Sequence, residues 1–116
     1  IRIIKWNKNL KKYYKKSHLF VLNSYYEGLP NILIEAINYN VPCIATNCSG
    51  TQDILMNNRG GFRVPVADKE AMIKKIEYVL KNYKNSVYKT KISKKNICRF
   101  DQKNSMKYYA QIKKYI

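Results

Sequence analysis

Residues 18–46 read HLFVLNSYYEGLPNILIEAINYNVPCIAT and contain two apolar runs on either side of a helical pattern. The runs at 18–22 and 41–46 are continuous rather than alternating, which is typical of strands buried on both faces of a parallel sheet. Between them, apolar residues at positions 32, 33, 36 and 37 recur at helical spacing. A strand, a helix and a second strand in this order predict a parallel β–α–β unit.

The flanking sequence continues the alternation of strands and helices. Pro30 is suited to the first helical position, Asn40 to a helix stop and Asp68 to an N-cap, while Phe100 and Asp101 indicate a turn. Together the elements predict an α/β fold, a Rossmann-like parallel sheet with flanking helices. In chain order, the predicted strands are 1–6, 18–22, 41–46 and 62–65, and the predicted helices are 10–16, 31–39, 51–56, 69–81, 86–98 and 102–115.

The loop at residues 24–30 follows a predicted strand, and ligands of such sheets bind beyond the carboxyl ends of the strands. Glu27 lies in this loop, and Glu35 lies about one turn into the next helix. A helix start carries free N–H groups and a partial positive charge, so it favours an anion such as a diphosphate. A carboxylate on each side would suit the hydroxyl groups of a sugar and of a ribose. Spacing alone favours two solvent-facing glutamates, one near a helix N-terminus and one on the helix surface.

Charge and cysteine content restrict the class of protein. The chain has 23 basic and 7 acidic residues, a net charge of +16. This charge fits an anionic partner, but it also fits a lysine-rich composition, because the lysines are spread along the chain. The three cysteines form no Cys-x-x-Cys pair and His18 is the only histidine, so we expect no metal site and a reducing compartment. We expect Cys43 to be a small core residue.

Residues 24–36 closely resemble the signature of the group 1 glycosyltransferases, a family of retaining enzymes with the GT-B fold that includes glycosyltransferase family 4. That signature is Ser-x-x-Glu-Gly followed by Leu-Leu-Glu-Ala, with seven residues between the two glutamates. Residues 41–46, 49–54 and 61–65 resemble the next strand, turn and strand of the family in the same order. The resemblance covers residues 1–82 well and residues 83–116 loosely.

The resemblance implies a nucleoside diphosphate sugar as donor substrate and no metal or other cofactor. Glu27 would be the catalytic residue that contacts the donor sugar, and Glu35 would bind the ribose. The backbone amides beside them would face the sugar and the phosphates. The donor-binding residues implied in this way are Gly28, Leu29, Asn31, Ile32 and Glu35.

The resemblance also implies a domain organisation. Residues 1–100 would be part of a Rossmann-like nucleotide-sugar-binding domain, the C-terminal half of a GT-B fold, and residues 101–116 a C-terminal helix. The acceptor-binding N-terminal domain, and the Arg and Lys that hold the diphosphate, would lie outside this chain, which alone is expected to be inactive. The implied acceptor is a glycan or a lipid-linked glycan of the bacterial cell envelope, used in the cytoplasm with peripheral membrane contact.

Two other interpretations remain open at the level of sequence. The first is a truncated, non-catalytic nucleotide-binding remnant with the same fold, which would have no upstream reading frame for an acceptor domain. The second is a basic nucleic-acid-binding module, suggested by the charge and by eleven tyrosines, whose rings can stack on bases. We expect no nucleic-acid partner, because no recognition motif or basic-aromatic cluster accompanies these residues.

Overall fold

The computed structural model describes residues 1–100 of the 116-residue chain. Predictions made for residues 101–116, including the helix at 102–115 and the cap at Asp101, lie outside the described residues. The elements, in chain order, are α1 (Lys11–Tyr14), β1 (Phe20–Leu22), α2 (Asn31–Asn38), β2 (Cys43–Thr46), α3 (Ser49–Ile54), β3 (Phe62–Val64), α4 (Lys69–Lys81), α5 (Tyr83–Asn96) and a 3₁₀ turn (Ile97–Phe100).

The three strands form one parallel sheet in the order β1-β2-β3, with Val21 opposite Ile44 and Ala45 opposite Arg63. All four residues of β2 are buried, as expected for the central strand. Helices connect the parallel strands, as they must when the chain returns to the same end of a sheet. The predicted Rossmann-like α/β fold is confirmed.

The side chains of β2 divide the core into two layers, because successive residues of a strand point to opposite faces. Cys43 and Ala45 pack in one layer with the buried residues of α2 and α3, and Ile44 packs in the other with β3 and α4. Cys43 is therefore the small core residue that the sequence predicted. The buried members of the first layer are Tyr14, Leu22, Leu33, Ala36, Ile37, Val41, Cys43, Ala45, Ile54, Leu55 and Ile97.

Helix α2 begins and ends at backbone signals close to those predicted. Its first residue is Asn31, and Pro30 is the extended N-cap (φ −74°, ψ 92°) rather than the first helical residue, which corrects the prediction. Asn40 ends the helix in the left-handed region (φ 59°), where asparagine is tolerated. The amide of Val41 then bonds back to the Ala36 carbonyl at 3.1 Å, which satisfies an otherwise unpaired carbonyl.

Helix α4 occupies the predicted range, residues 69–81. The predicted N-cap is confirmed, since the Asp68 side chain accepts a hydrogen bond from the Ala71 amide at 2.8 Å. Helix α3 begins two residues earlier than predicted, at Ser49. Its start is moved by a reciprocal pair of bonds between Cys48 and Thr51, which a propensity argument does not detect.

The strand predicted at residues 1–6 is wrong. These residues have no regular structure, and Ile1, Ile3 and Trp6 are more than four-fifths exposed. The apolar run therefore finds no partner strand among the described residues, and a strand without a ladder leaves its backbone groups to water. β1 is one of the two edge strands of the described sheet, and Val21 in it is 39% exposed.

Helix α5 is longer and better packed than the weak helix predicted at 86–98. Its fully buried residues are hydroxyl-bearing ones, Ser86, Thr90 and Ser93, so hydropathy gives no stripe to recognise. The hydroxyls of Ser86 and Thr90 bond to carbonyls four residues back, at 3.1 and 3.0 Å. That of Ser93 bonds across to the Ile54 carbonyl. Burial is possible because each hydroxyl is satisfied.

None of the helices within residues 1–100 combines the length and the apolarity that crossing a bilayer requires.

Candidate functional site

The candidate site lies at the carboxyl edge of the sheet, where two loops from neighbouring strands meet. The first loop, residues 23–30, leads from β1 into α2, and the second, residues 47 and 48, leads from β2 into α3. Because β1 and β2 are parallel and adjacent, both loops leave the sheet on the same side. This is the edge at which open α/β sheets bind their ligands.

The first loop is fixed to the end of β2 at its root. The Ser24 amide donates a hydrogen bond to Thr46 Oγ1 at 3.0 Å, and the Thr46 hydroxyl donates to the Ser24 carbonyl. The Cys48 thiol also donates to this carbonyl, at 3.3 Å. Thr46 and Cys48 are buried, so the position of Ser24 is set by the core of the sheet rather than by solvent.

Glu27 is half-buried and is held in one orientation. The Ser24 hydroxyl donates a hydrogen bond to Glu27 Oε1 at 2.6 Å, a length typical of charge-assisted bonds. The Ser49 hydroxyl donates to the Glu27 carbonyl at 3.3 Å. No residue within 1–100 donates to the second carboxylate oxygen, Oε2. That oxygen is therefore free to accept a hydrogen bond from a ligand hydroxyl.

Two glycines meet where the loop passes over the start of α3, and they have different roles. A Cβ atom on Gly50 would overlap the carbonyl oxygen of Gly28, so the close approach of the two segments requires glycine at position 50. A Cβ on Gly28 would meet nothing within 4 Å, and Gly28 has no positive φ. The fold therefore does not require glycine at position 28, whereas close approach of a ligand would.

The start of α2 leaves backbone donors unpaired. Pro30 supplies no capping side chain, and its carbonyl accepts from the amides of Leu33 and Ile34. In the described part of the chain, the amides of Gly28, Leu29, Asn31 and Ile32 have no acceptor. Together with the helix dipole, these amides favour a negatively charged group at the start of α2.

Glu35 lies one turn further along α2. It is exposed, as are Asn31 and Ile32, and the i, i+4 spacing puts Asn31 and Glu35 on the same side of the helix. The Tyr14 hydroxyl lies close by and donates to the Ile32 carbonyl at 3.3 Å. Burial, and then the nearby negative charge of Glu35, raise the pKa of Tyr14 well above its usual value.

The predicted site residues fall into one segment of structure. The loop and the first turn of α2 carry Glu27 and the four predicted amides, and Glu35 follows on the exposed side. The supporting roles of five further residues were not predicted. Ser24 begins the signature at 24–36 but was given no role, and the other four residues belong to other elements. The adjacency of parallel strand ends was a signal for Thr46, Cys48 and Ser49, whereas nothing in the sequence pointed to Tyr14.

The stretch of sequence that carries the candidate site differs in charge from the whole chain. Residues 17–58 contain Glu27, Glu35 and Asp53 but no lysine or arginine, although the chain carries 23 basic residues. Within residues 1–100, no three histidine, cysteine, aspartate or glutamate side chains come together in a way that could hold a metal ion. Cationic side chains at this edge come from other elements, since the Arg63 guanidinium donates a hydrogen bond to Asn47 Oδ1 in the second loop.

Comparison with known proteins identifies relatives. The family model described as "Glycosyl transferases group 1" matches residues 1–96. An alpha-1,4-N-acetyl-D-galactosaminyltransferase of Campylobacter jejuni, named for an undecaprenol-linked substrate, is 37% identical over 73 residues, 62% of this chain and 20% of its own. The UDP-Gal:alpha-D-GlcNAc-diphosphoundecaprenol alpha-1,3-galactosyltransferase of Escherichia coli is 31% identical over 71 residues, 61% of this chain and 18% of its own.

Among solved structures, the sucrose-phosphate synthase of Thermosynechococcus elongatus superposes with a TM-score of 0.79 at 24% identity, covering 92% of this chain and 28% of that chain. This match shows the fold, which is that of a GT-B glycosyltransferase. The chain spans about a fifth of the length of the two curated relatives above. From the family match over residues 1–96, the chain belongs to the group 1 glycosyl transferases.

Proposed function

We propose that this chain is the donor-binding part of a retaining glycosyltransferase of family 4. The proposed enzyme transfers a hexosyl group from a nucleoside diphosphate sugar to a glycan or lipid-linked acceptor in bacterial cell-envelope polysaccharide synthesis. The observation that carries the proposal is the half-buried carboxylate of Glu27, held by Ser24 beside an uncapped helix start. An oriented acid and a set of free amides side by side suit a ligand that is both hydroxylated and anionic.

The three parts of such a donor fit three parts of the site. The diphosphate would lie against the amides at 28, 29, 31 and 32, which lack partners in the described chain. The transferred sugar would donate a hydroxyl hydrogen bond to Glu27 Oε2. The ribose would lie one turn along α2, where Glu35 can accept two hydrogen bonds from its diol.

The charge distribution supports the proposal that the rest of the site comes from elsewhere in the protein. A diphosphate carries more negative charge than one helix start can balance, since the dipole amounts to about half a unit charge. Residues 17–58 supply no cationic side chain. We infer that lysine or arginine residues outside this range stabilise the departing diphosphate, and that a further domain binds the acceptor.

The undecaprenol in the names of the two curated relatives supports an acceptor on a membrane surface. A nucleoside diphosphate sugar is a cytoplasmic metabolite, so we place the reaction in the cytoplasm, at the inner face of the membrane.

The test measures donor binding and turnover with UDP-galactose, chosen from the name of the Escherichia coli relative, in the protein that carries this chain. Glu27→Gln keeps the size of the side chain and an acceptor for Ser24 but removes the charge. We expect it to lower kcat about 100- to 1000-fold, the effect of removing one oriented electrostatic group. Glu35→Gln should raise the Kd for UDP about tenfold, because it replaces charge-assisted hydrogen bonds.

Glu77→Gln is the matched control, since Glu77 is an exposed glutamate on α4, and it should change neither quantity. A panel of UDP-, GDP- and ADP-sugars that all fail to bind the wild-type protein would contradict the proposal. Unchanged turnover in Glu27→Gln would contradict the role given to Glu27. Salt-dependent RNA binding without nucleotide-sugar binding would favour the nucleic-acid module instead.

A further inference from the structure

The two edge strands of the described sheet differ in how they are protected. Strand β3 carries Arg63 at its centre and is followed by Pro65, and charge and proline both discourage pairing with a further strand. Lys89 of α5 also packs over the Phe62 ring, 5.1 Å from its centre. Strand β1 is Phe20–Leu22, which contains neither a charged residue nor proline. An edge strand of this composition is normally paired or covered.

The backbone of β1 has polar groups that no strand within residues 1–100 can reach. The Phe20 amide donates to the Pro42 carbonyl at 2.9 Å, so the hydrogen-bonding groups of Phe20 face β2. In a parallel ladder these groups alternate between the two sides of a strand, so the amide and carbonyl of Val21 face away from β2. The described sheet has no strand on that side. A further strand there would give both groups a partner.

Helix α4 runs alongside β1 on one face of the sheet. Its first turns line a cavity of about 230 Å³ together with Asn23, the residue that follows β1. Its other end lies beside the start of β1, since the rings of His18, two residues before the strand, and Tyr83, two residues after the helix, are 6.1 Å apart. The flank of α4 that is next to β1 therefore borders the unpaired edge of the sheet.

Exposed apolar side chains line this border. Val21 points to the face that α4 covers, because it pairs in register with Ile44, which packs with α4. Ile73 lines the cavity beside Asn23, and Leu80 lies two turns further along the same side of α4. Val21, Ile73 and Leu80 are 39%, 45% and 54% exposed. These three residues form an apolar strip beside the open backbone of β1.

We propose that a β-strand from another part of the same protein pairs with β1, and that the chain attached to this strand covers the apolar strip. A strand gives partners to the outward groups of Val21 and buries the strip at the same time. A lipid surface would leave those backbone groups unpaired. The chain spans about a fifth of the length of its curated relatives, so a protein of that length has ample chain to supply the strand. This inference goes beyond the proposed function and does not depend on it.

Photo-crosslinking in the protein that carries this chain identifies what covers the strip. Benzoylphenylalanine replaces Leu80, an equal mixture of protein with natural and with heavy nitrogen is irradiated, and the crosslinked peptides are mapped by mass spectrometry. We expect a crosslink within one molecule to a segment outside residues 1–116. The control carries the same group at Lys74, an exposed residue about 120° around α4 from Leu80, and should not crosslink to that segment.

Every other crosslinking result would overturn the proposal. A crosslink between a light and a heavy molecule would mean that a second copy covers the strip. A crosslink to residues 101–116 would mean that the C-terminal part of this chain covers it. No crosslink from position 80 would mean that the strip faces solvent.

Hydrogen exchange tests the backbone part of the proposal. In the wild-type protein, the Val21 amide should exchange about 100-fold or more slowly than an unbonded amide, and rapid exchange there would overturn the pairing. Val21→Pro removes this donor, whereas the matched variant Val21→Ala keeps it, and both lose the apolar side chain. We expect Val21→Pro to lower the denaturant midpoint of unfolding more than Val21→Ala does. Equal midpoints would contradict the pairing, because proline is tolerated where the N–H of an edge strand faces solvent.

Discussion

Helices α2 and α3 start from neighbouring strand ends, but their first turns are completed in opposite ways. At α3, the Cys48 side chain accepts from the Thr51 amide and the Thr51 side chain accepts from the Cys48 amide. At α2, Pro30 offers no side-chain acceptor, and the first amides of the helix have no partner among residues 1–100. The start of α3 is closed by a side-chain cap and that of α2 is open, although in each helix the amides of the first two residues have no acceptor among residues 1–100.

The difference concerns how each helix start is stabilised, and we propose that the uncapped start of α2 binds the donor phosphates. The closed start also supports the open one, because the side chains of Cys48 and Ser49 bond to the backbone of the loop before α2. A missing N-cap costs about 1 kcal/mol of stability. Helix α2 lacks this stabilisation, and its first amides are therefore available for an anionic ligand.

The largest effect should come from breaking the contact between the two helix starts. Gly50→Ala puts a Cβ into the Gly28 carbonyl, so the loop or α3 must move. We expect a loss of about 2–3 kcal/mol of unfolding free energy, as for overpacking in a core, measured by denaturant titration. Donor binding should fall with it.

Gly28→Ala is the matched variant, because a Cβ there meets open space and no positive φ. Its unfolding free energy should match that of the wild type within about 0.5 kcal/mol, the usual range for a surface substitution. Its affinity for UDP should nevertheless fall, since the new methyl group lies where the ligand approaches. Equal losses of stability in both variants would contradict the distinction drawn between the two glycines.

A smaller effect should come from closing the open start. Pro30→Ser places a hydroxyl at the N-cap, where it can accept from the Ile32 amide as capping serines do. The gain from the cap is about 1 kcal/mol, but the substitution also loses proline rigidity and the apolar contacts of buried Pro30, so the unfolding free energy should fall by about 1 kcal/mol.

The Kd of Pro30→Ser for UDP should rise several-fold, because a side chain of the protein now occupies an amide proposed for the phosphates. Calorimetric titration of the wild type and the variant measures the difference. An unchanged Kd would mean that the amide at position 32 does not face the ligand.

The last effect is a pH dependence of stability and concerns Tyr14, whose hydroxyl donates to the Ile32 carbonyl at the open helix start. Tyr14→Phe removes one hydrogen bond and should cost about 1 kcal/mol at neutral pH. In the folded state the pKa of Tyr14 is raised, so above about pH 10 the unfolded chain releases a proton that the folded chain keeps. Stability from this group is therefore complete below pH 10 and falls as pH rises further.

Burial also raises the pKa of the Cys43 thiol, which adds the same kind of loss from about pH 8.5 upward. Denaturant titrations between pH 8 and 11 should therefore show a decline in both proteins. The decline above pH 10 should be steeper in the wild type by up to about 1.4 kcal/mol per pH unit, the value for one proton. Parallel curves for wild type and Tyr14→Phe would show that Tyr14 does not titrate differently in the two states.

Prediction from sequence was most accurate for elements whose structure depends on residues close to one another in the chain. The apolar run of β2, the stripe and cap of α4, and the asparagine that ends α2 each reflect burial or backbone geometry within a few residues. The strand at 1–6 failed because an apolar run is a strand only when another strand pairs with it. For α5, burial depends on hydroxyls that bond backward along the helix, which hydropathy scores as surface.

The candidate site divides in the same way. Glu27, Glu35 and the backbone amides at positions 28, 29, 31 and 32 lie in one continuous segment, so the sequence alone predicts that they are close together. Ser24 lies in the same segment and orients Glu27 locally. Thr46 at the end of β2 and Tyr14 on α1 contact this segment only through tertiary structure, so their roles could not be derived from spacing.

The hydroxyl-lined packing of α5 sets a limit on how this region can vary. A Cβ at Gly60 would overlap the side chain of Ser93, so these two positions share the volume of one small side chain. A larger side chain at one of these two positions requires a smaller one at the other, and a hydropathy profile records neither change. Positions 60 and 93 therefore behave as a coupled pair, and compatible sequences will conserve their summed volume rather than either residue.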